Sequence, residues 1–312
     1  GRGVMDTHLF EHRMSSDKAL SERVSEKPKR TPRAIAKKLM TTLAIILIGT
    51  YLATAAVLFV IQRSLFYPRD HLPMHTPEVT EPHVEVLRKP VEGGEAIAIW
   101  MPAKVDASKG EQAPLMMYFH GNGSAAQYVW PSLKPYREMG MHVMVVEYPG
   151  YAGAAGEPTQ ASIVEHARIW TEHARAMPGV DTSRVVYFGT SLGGGVACAL
   201  AATAPPDVFI LRSTFSSMRE MASTRLMPGF LVVDKYESLQ VLNTLPQTPV
   251  LLTHGTKDML IPLSHAKRIA ASRENIEFST YPCGHNDCPR DTPELHRIRR
   301  DFLVRHGILS TE

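Results

Sequence analysis

Cysteine is scarce, with three in 312 residues, and that excludes a fold stapled by disulfides. Cys198 falls within an apolar stretch and reads as a small buried residue. Cys283 and Cys288 bracket His285, and both a disulfide closing that short loop and two free thiols fit the spacing. A metal site built from Cys283, His285, Asp287 and Cys288 is the weaker alternative, because no second ligand cluster completes it. No metal and no cofactor is expected.

A strong charge of one sign is lacking too. The formal net charge is +3, and it is unevenly spread: residues 1–38 hold 10 Lys and Arg against 5 Asp and Glu, leaving 24 against 26 for the remainder. The basic character belongs to a tail, so a nucleic-acid surface is not implied. That tail reads as a solvated arm able to meet anionic headgroups. Internal repeats and low-complexity segments are also missing.

Charge disappears altogether over residues 39–61, 23 positions in a row. At about 1.5 Å per residue such a helix is about 34 Å long, against a bilayer hydrocarbon core of about 30 Å. A transmembrane helix is predicted there. Lys27, Lys29, Arg30, Arg33, Lys37 and Lys38 precede it, and only Arg63 and Arg69 follow at a similar distance. Positive-inside then puts the tail, residues 1–38, in the cytoplasm and everything after Ile61 on the periplasmic, extracellular or lumenal side. A signal peptide cut after Ala53-Thr54-Ala55 is the rival. The long polar segment ahead of it and the continuing apolar run speak against cleavage. Residues 62–82, rich in proline and histidine, read as a linker, and residues 83–312 as one folded domain, whose strand ends make it the expected catalytic domain.

What is present beyond residue 83 is a series of short apolar runs. Residues 83–88 and 96–101 alternate about Gly93-Gly94, predicting an antiparallel hairpin at a sheet edge. Residues 115–119, 143–146, 185–188, 208–211 and 250–252 are continuously apolar, as strands covered on both faces require, and residues 276–281, with Ile276, Phe278 and Tyr281, read as a further strand. Between them, residues 161–177, 192–204, 264–272 and 293–306 are long enough for crossover helices. The alternation predicts an α/β fold with a mostly parallel, doubly wound sheet. Ligands of such sheets bind beyond the carboxyl ends of the strands.

The strand ends carry the chemistry. Residues 185–188 lead into Gly189-Thr190-Ser191-Leu192-Gly193, the G-x-S-x-G pattern of a nucleophile elbow, in which a sharp turn projects the serine hydroxyl and crowds the flanking glycines. A helix beginning at Leu192 aims its amides at a developing oxyanion, with the Leu192 N–H as one donor. After residues 115–119 comes His120-Gly121-Asn122-Gly123, where a second donor is placed on Asn122, with Gly123 as the near alternative. Each donor is worth about 2.7–4 kcal/mol of transition-state stabilisation. After residues 143–146, Glu147-Tyr148-Pro149-Gly150-Tyr151 reads as a loop against the pocket wall, with Tyr151 a substrate-binding candidate and Glu147 a carboxylate held by hydrogen bonds. Asp258 follows residues 250–252, and His285 follows residues 276–281. An imidazole at His285 can take the Ser191 proton and return it to the leaving group, with Asp258 fixing its tautomer. Asp234 is the runner-up acid.

From about His83 onward the chain resembles the α/β-hydrolase superfamily, specifically its single-pass, membrane-tethered serine hydrolases. Phe119-His120-Gly121-Asn122, Tyr148-Pro149-Gly150-Tyr151, Gly189-Thr190-Ser191-Leu192-Gly193-Gly194, His254-Gly255-Thr256-Lys257-Asp258 and Gly284-His285-Asn286-Asp287 carry the resemblance. It implies the α/β-hydrolase fold, no cofactor, and hydrolysis of an acyl ester, thioester or lipid-like substrate; such relatives include depalmitoylases, lysophospholipases, other esterases and serine peptidases. Ala152 and Ala154 depart from the glycine and serine usual in the group, and the cysteine pair is also unusual. Residues 212–248 stand where relatives place a lid. They carry Met218, Met221, Leu226, Met227, Phe230, Leu231, Val232 and Val233, an apolar lip for an acyl chain with Met218 and Met221 as binding candidates, or else a helix packed on the sheet. The expectation is a membrane-anchored serine hydrolase working through an acyl-enzyme on Ser191. A prolyl-oligopeptidase-type serine peptidase is disfavoured by the lack of a large gating domain, and a non-catalytic membrane scaffold by the intact triad.

Overall fold

The computed structural model describes residues 31–224, 227–289 and 292–311. Among these, eight strands form one sheet: β1 (Glu85–Val91), β2 (Gly94–Met101), β3 (Ala113–Phe119), β4 (His142–Val146), β5 (Val180–Thr190), β6 (Val208–Arg212), β7 (Val250–Gly255) and β8 (Ile276–Tyr281), in the order β1-β2-β4-β3-β5-β6-β7-β8. β1 and β2 pair antiparallel about a turn at Gly93, whose φ of 81° suits glycine, and β2 runs antiparallel to β4. Every other pairing is parallel. This is the mostly parallel α/β sheet that the alternation of apolar runs predicts, in the α/β-hydrolase fold that the resemblance implies.

The central runs became strands because both of their faces are covered, whereas at the edge of the sheet β8 buries only Ile276 fully. All seven residues of β3 and all five of β4 and β6 are buried. One face of the sheet packs against helix Gln160–Arg175, which buries Ile163, Ala167, Trp170 and Ala174 at helical spacing. Thr159 and Ser162 close its N-terminus as a reciprocal capping box. The other face packs against helix Pro293–Arg305 through Phe302 and Leu303. Helix Leu192–Ala201 reaches the sheet closely because Gly193 has no side chain, since a Cβ there would collide with the Phe119 carbonyl at the end of β3.

The ends of the sheet elements differ from expectation in one informative case. β5 begins at Val180, five residues before its apolar run, because the exposed 181–184 stretch extends the strand with polar residues.

The apolar helix extends over Pro32–Phe66, beyond the 39–61 expected. Hydropathy limits the part that suits lipid, whereas Arg, Lys and Gln are good helix formers that prolong the backbone ladder at both ends. Among the described residues it is the one helix long and apolar enough to cross a membrane. The basic tail lies outside the described residues as far as residue 30.

The chain divides into two compact units between Ala56 and Val57. Consequently the expected 62–82 linker is corrected, because these residues belong to the hydrolase unit. Gln62, Tyr67, Leu72 and Thr76 are buried within it. The Thr76 hydroxyl donates to the Ala152 carbonyl at 3.0 Å, and Arg88 donates to the Thr76 carbonyl at 2.9 Å. Pro68, Pro73, Pro77 and Pro82 exclude regular secondary structure after Phe66 but do not prevent packing.

Candidate active site

Ser191 sits between β5 and helix Leu192–Ala201 with φ 54° and ψ −119°, a conformation costly for a residue with a Cβ. Neighbouring bonds hold it there. Its N–H donates to the Arg212 carbonyl at 2.8 Å, and its carbonyl accepts from the Thr214 hydroxyl at 2.9 Å. The turn also needs Gly189, where a Cβ would strike the backbone of Gly193.

The structure brings Ser191, His285 and Asp258 together. His285 Nε2 lies 2.9 Å from Ser191 Oγ, and His285 Nδ1 lies 2.7 Å from Asp258 Oδ2. The second oxygen of Asp258 accepts the N–H groups of Leu260 and Ile261 at 2.9 and 2.8 Å. Burial raises the Asp258 pKa, yet the His285 hydrogen bond, the Ile261 N–H and the positive character of His285 and His254 outweigh it. The carboxyl ends below its ordinary value. His254, which the sequence did not single out, backs this group at 3.5 Å from Asp258 Oδ2, with its Nε2 also on the Ile261 carbonyl at 2.8 Å.

Asn122 and Ser191 line the same cavity, of about 270 Å³, and Leu192 opens the helix, so its N–H has no acceptor within that helix. The Gly123 carbonyl lies 3.1 Å from His71 Nε2. Behind this loop lies a fully buried pair, His120 and Glu147, with Nε2 and Oε1 3.0 Å apart. Glu147 is thus held by hydrogen bonds, as expected.

Met218 and Met221 line the cavity from helix Met218–Ser223, together with Met227 and Phe215. Leu226 lies outside the described residues. Tyr151 requires correction: it is fully buried, is not part of the lining, and its hydroxyl donates to Asn122 Oδ1 at 3.3 Å. It supports the loop from behind because the turn after β4 folds inward. Ala152, the departure from glycine, takes a φ of 43°. Asp234 is also displaced from the acid's place; its oxygens meet Arg63 Nε at 3.3 Å and the Gln160 N–H at 2.9 Å.

Cys283 and Cys288 form a disulfide around His285. Their sulfurs are therefore committed to each other, and Asp287 accepts the Gly284 N–H at 2.7 Å. No group of three or more potential metal ligands occurs among the described residues. The sequence reading missed Leu58, Leu65 and Phe66, which also line the cavity; their apolar run signals a span and nothing about a pocket.

No protein-family model matches the chain. It is 30% identical over 205 residues to the uncharacterized protein Rv2307c of Mycobacterium tuberculosis, covering 64% of this chain and 71% of that protein. It is 29% identical over 220 residues to the alpha/beta hydrolase domain-containing protein WAV2 of Arabidopsis thaliana, covering 63% and 71%. Among solved structures, a propionate-bound thermophilic esterase of Thermogutta terrifontis superposes with a TM-score of 0.57 at 20% identity, covering 75% of this chain and 98% of that one.

Proposed function

Since the chain belongs to the α/β-hydrolase superfamily, we propose that it is a membrane-anchored serine hydrolase that cleaves acyl ester or thioester bonds through Ser191, His285 and Asp258. The observation that carries this reading is the continuous line of short hydrogen bonds from Ser191 Oγ through the His285 ring to Asp258. Ser191 Oγ attacks the acyl carbonyl carbon while His285 Nε2 takes its proton, and Asp258 steadies the imidazolium. The N–H groups of Leu192 and Asn122 receive the oxyanion. The ester C–O or thioester C–S bond then breaks, and the alcohol or thiol leaves with the proton from His285. A water repeats the sequence on the acyl-enzyme, giving the carboxylic acid and free Ser191.

Helix Pro32–Phe66 is the anchor, with the basic tail cytoplasmic and the hydrolase unit on the far side. The Cys283–Cys288 disulfide suits an oxidising compartment there. The propionate held by the solved esterase of similar fold supports an acyl substrate. Turnover of p-nitrophenyl acyl esters set against peptide anilides tests the reading. Ester hydrolysis lost in Ser191→Ala supports it, and exclusive cleavage of peptides overturns it in favour of a peptidase.

A further inference from the structure

The cavity at Ser191 has one wall from an unexpected source. Leu58, Leu65 and Phe66, from the last turns of helix Pro32–Phe66, line it together with Met218, Met221 and Met227. We propose that this helix end is the specificity-determining wall of an acyl-chain site, so that the substrate is a medium- or long-chain acyl ester or thioester whose chain lies against it. The inference rests on the serine-hydrolase reading and names the substrate class for that same site.

Three features of the cavity carry it. Among the described residues that line it, Ser191 and Asn122 are the polar ones and the others are apolar. A scissile bond therefore fits at one end and hydrocarbon along the rest. The volume of about 270 Å³ takes on the order of ten methylene groups at the density of a protein interior. Leu65 and Leu260 line the cavity and are also 54% and 45% exposed, whereas Phe215 and Met218 are buried. The mouth accordingly lies between Leu65 and Leu260. Leu65 is on the order of 6 Å of helix beyond Ile61, the end of the apolar run, which places the mouth where a chain leaves a bilayer.

The wall is fixed, as a specificity element must be. Buried Gln62 accepts the Val233 N–H at 2.9 Å through its carbonyl and donates to the Leu231 carbonyl at 3.3 Å. Arg63 Nε meets Asp234 at 3.3 Å, and the Tyr67 and Tyr236 hydroxyls lie 3.2 Å apart. A plain tether needs none of these bonds. The three methionines that also line the cavity are adaptable, which suits a flexible chain.

The test uses the full-length protein in phosphatidylcholine vesicles and compares kcat/KM for p-nitrophenyl acetate, hexanoate and decanoate in the wild type, Leu58→Trp and Leu58→Ala. The wild type is expected to prefer the longer esters. Leu58→Trp should lower the decanoate-to-acetate ratio at least tenfold, and Leu58→Ala should move the preference towards longer chains. Leu58→Ala carries the test alone if the tryptophan variant does not fold. An unchanged chain-length profile in variants that still label with a fluorophosphonate would overturn the wall while leaving the hydrolase reading intact. No ester turnover and no labelling in folded wild type would overturn both.

Discussion

His120 Nε2 lies 3.0 Å from Glu147 Oε1, and solvent reaches neither side chain. The same carboxylate accepts the N–H groups of Ala126 at 2.8 Å and Tyr148 at 3.0 Å. It therefore ties the end of β4 to the loop that carries Asn122. Glu147→Ala would strand three buried donors, so we predict a loss of about 3–5 kcal/mol of stability, measured as a shift in the denaturant midpoint. A loss below about 1 kcal/mol would contradict this role.

Asp258 is held below its usual carboxyl pKa because its hydrogen bonds and neighbouring positive character outweigh burial. It therefore stays ionised throughout the neutral range, and the acid limb of the pH–rate profile belongs to another group. Asp258→Asn is predicted to reduce kcat by about 10⁴. A wild-type-like kcat in that variant would show that another acid serves His285.

Stability should fall on mild acidification. Burial is the first cause that lowers the pKa of His142, His166, His254 and His265 from 6.5 in the folded chain. Unfolding frees these rings to bind protons at higher pH, so the unfolded state holds more protons just below 6.5 and stability declines there as pH falls. The loss continues until the folded rings themselves protonate. The lowered Asp258 adds a separate loss only as pH drops below the ordinary carboxyl value of 3.8. We expect the thermal midpoint to drop between pH 7 and 5, and a flat profile would refute the assignment.

The Cys283–Cys288 disulfide closes a loop of five-residue separation around His285. Loop-closure entropy assigns it about 2 kcal/mol. Cys283→Ala with Cys288→Ala should lose about that much in a denaturant titration and lower kcat by loosening His285. Equal kcat with equal stability would remove the bridge from the account.

The strands and the three central side chains were legible because each has a local signature: an apolar run for a strand buried on both faces, and a reactive residue just after its end. Ser191 was the plainest, since its turn needs Gly189 and Gly193 for steric reasons. Tyr151 was misplaced because a motif locates a residue along the chain but not the side of the loop it faces. The cysteine pair stayed open, as thiol and disulfide share one sequence. Residues 57–66 were hidden for a different reason. Apolar side chains suited to lipid are equally suited to lining a pocket, and the bonds of Gln62 to residues 231 and 233 and of Arg63 to Asp234 distinguish the two.

The central claim is that Ser191 is a nucleophile activated by His285. Membranes carrying the full-length protein, treated with a fluorophosphonate probe, test it most directly because covalent capture requires an activated serine and no known substrate. The account predicts labelling of the wild type at Ser191, lost in both Ser191→Ala and His285→Ala. A folded wild type that takes up no probe, or labelling that survives Ser191→Ala, would contradict it.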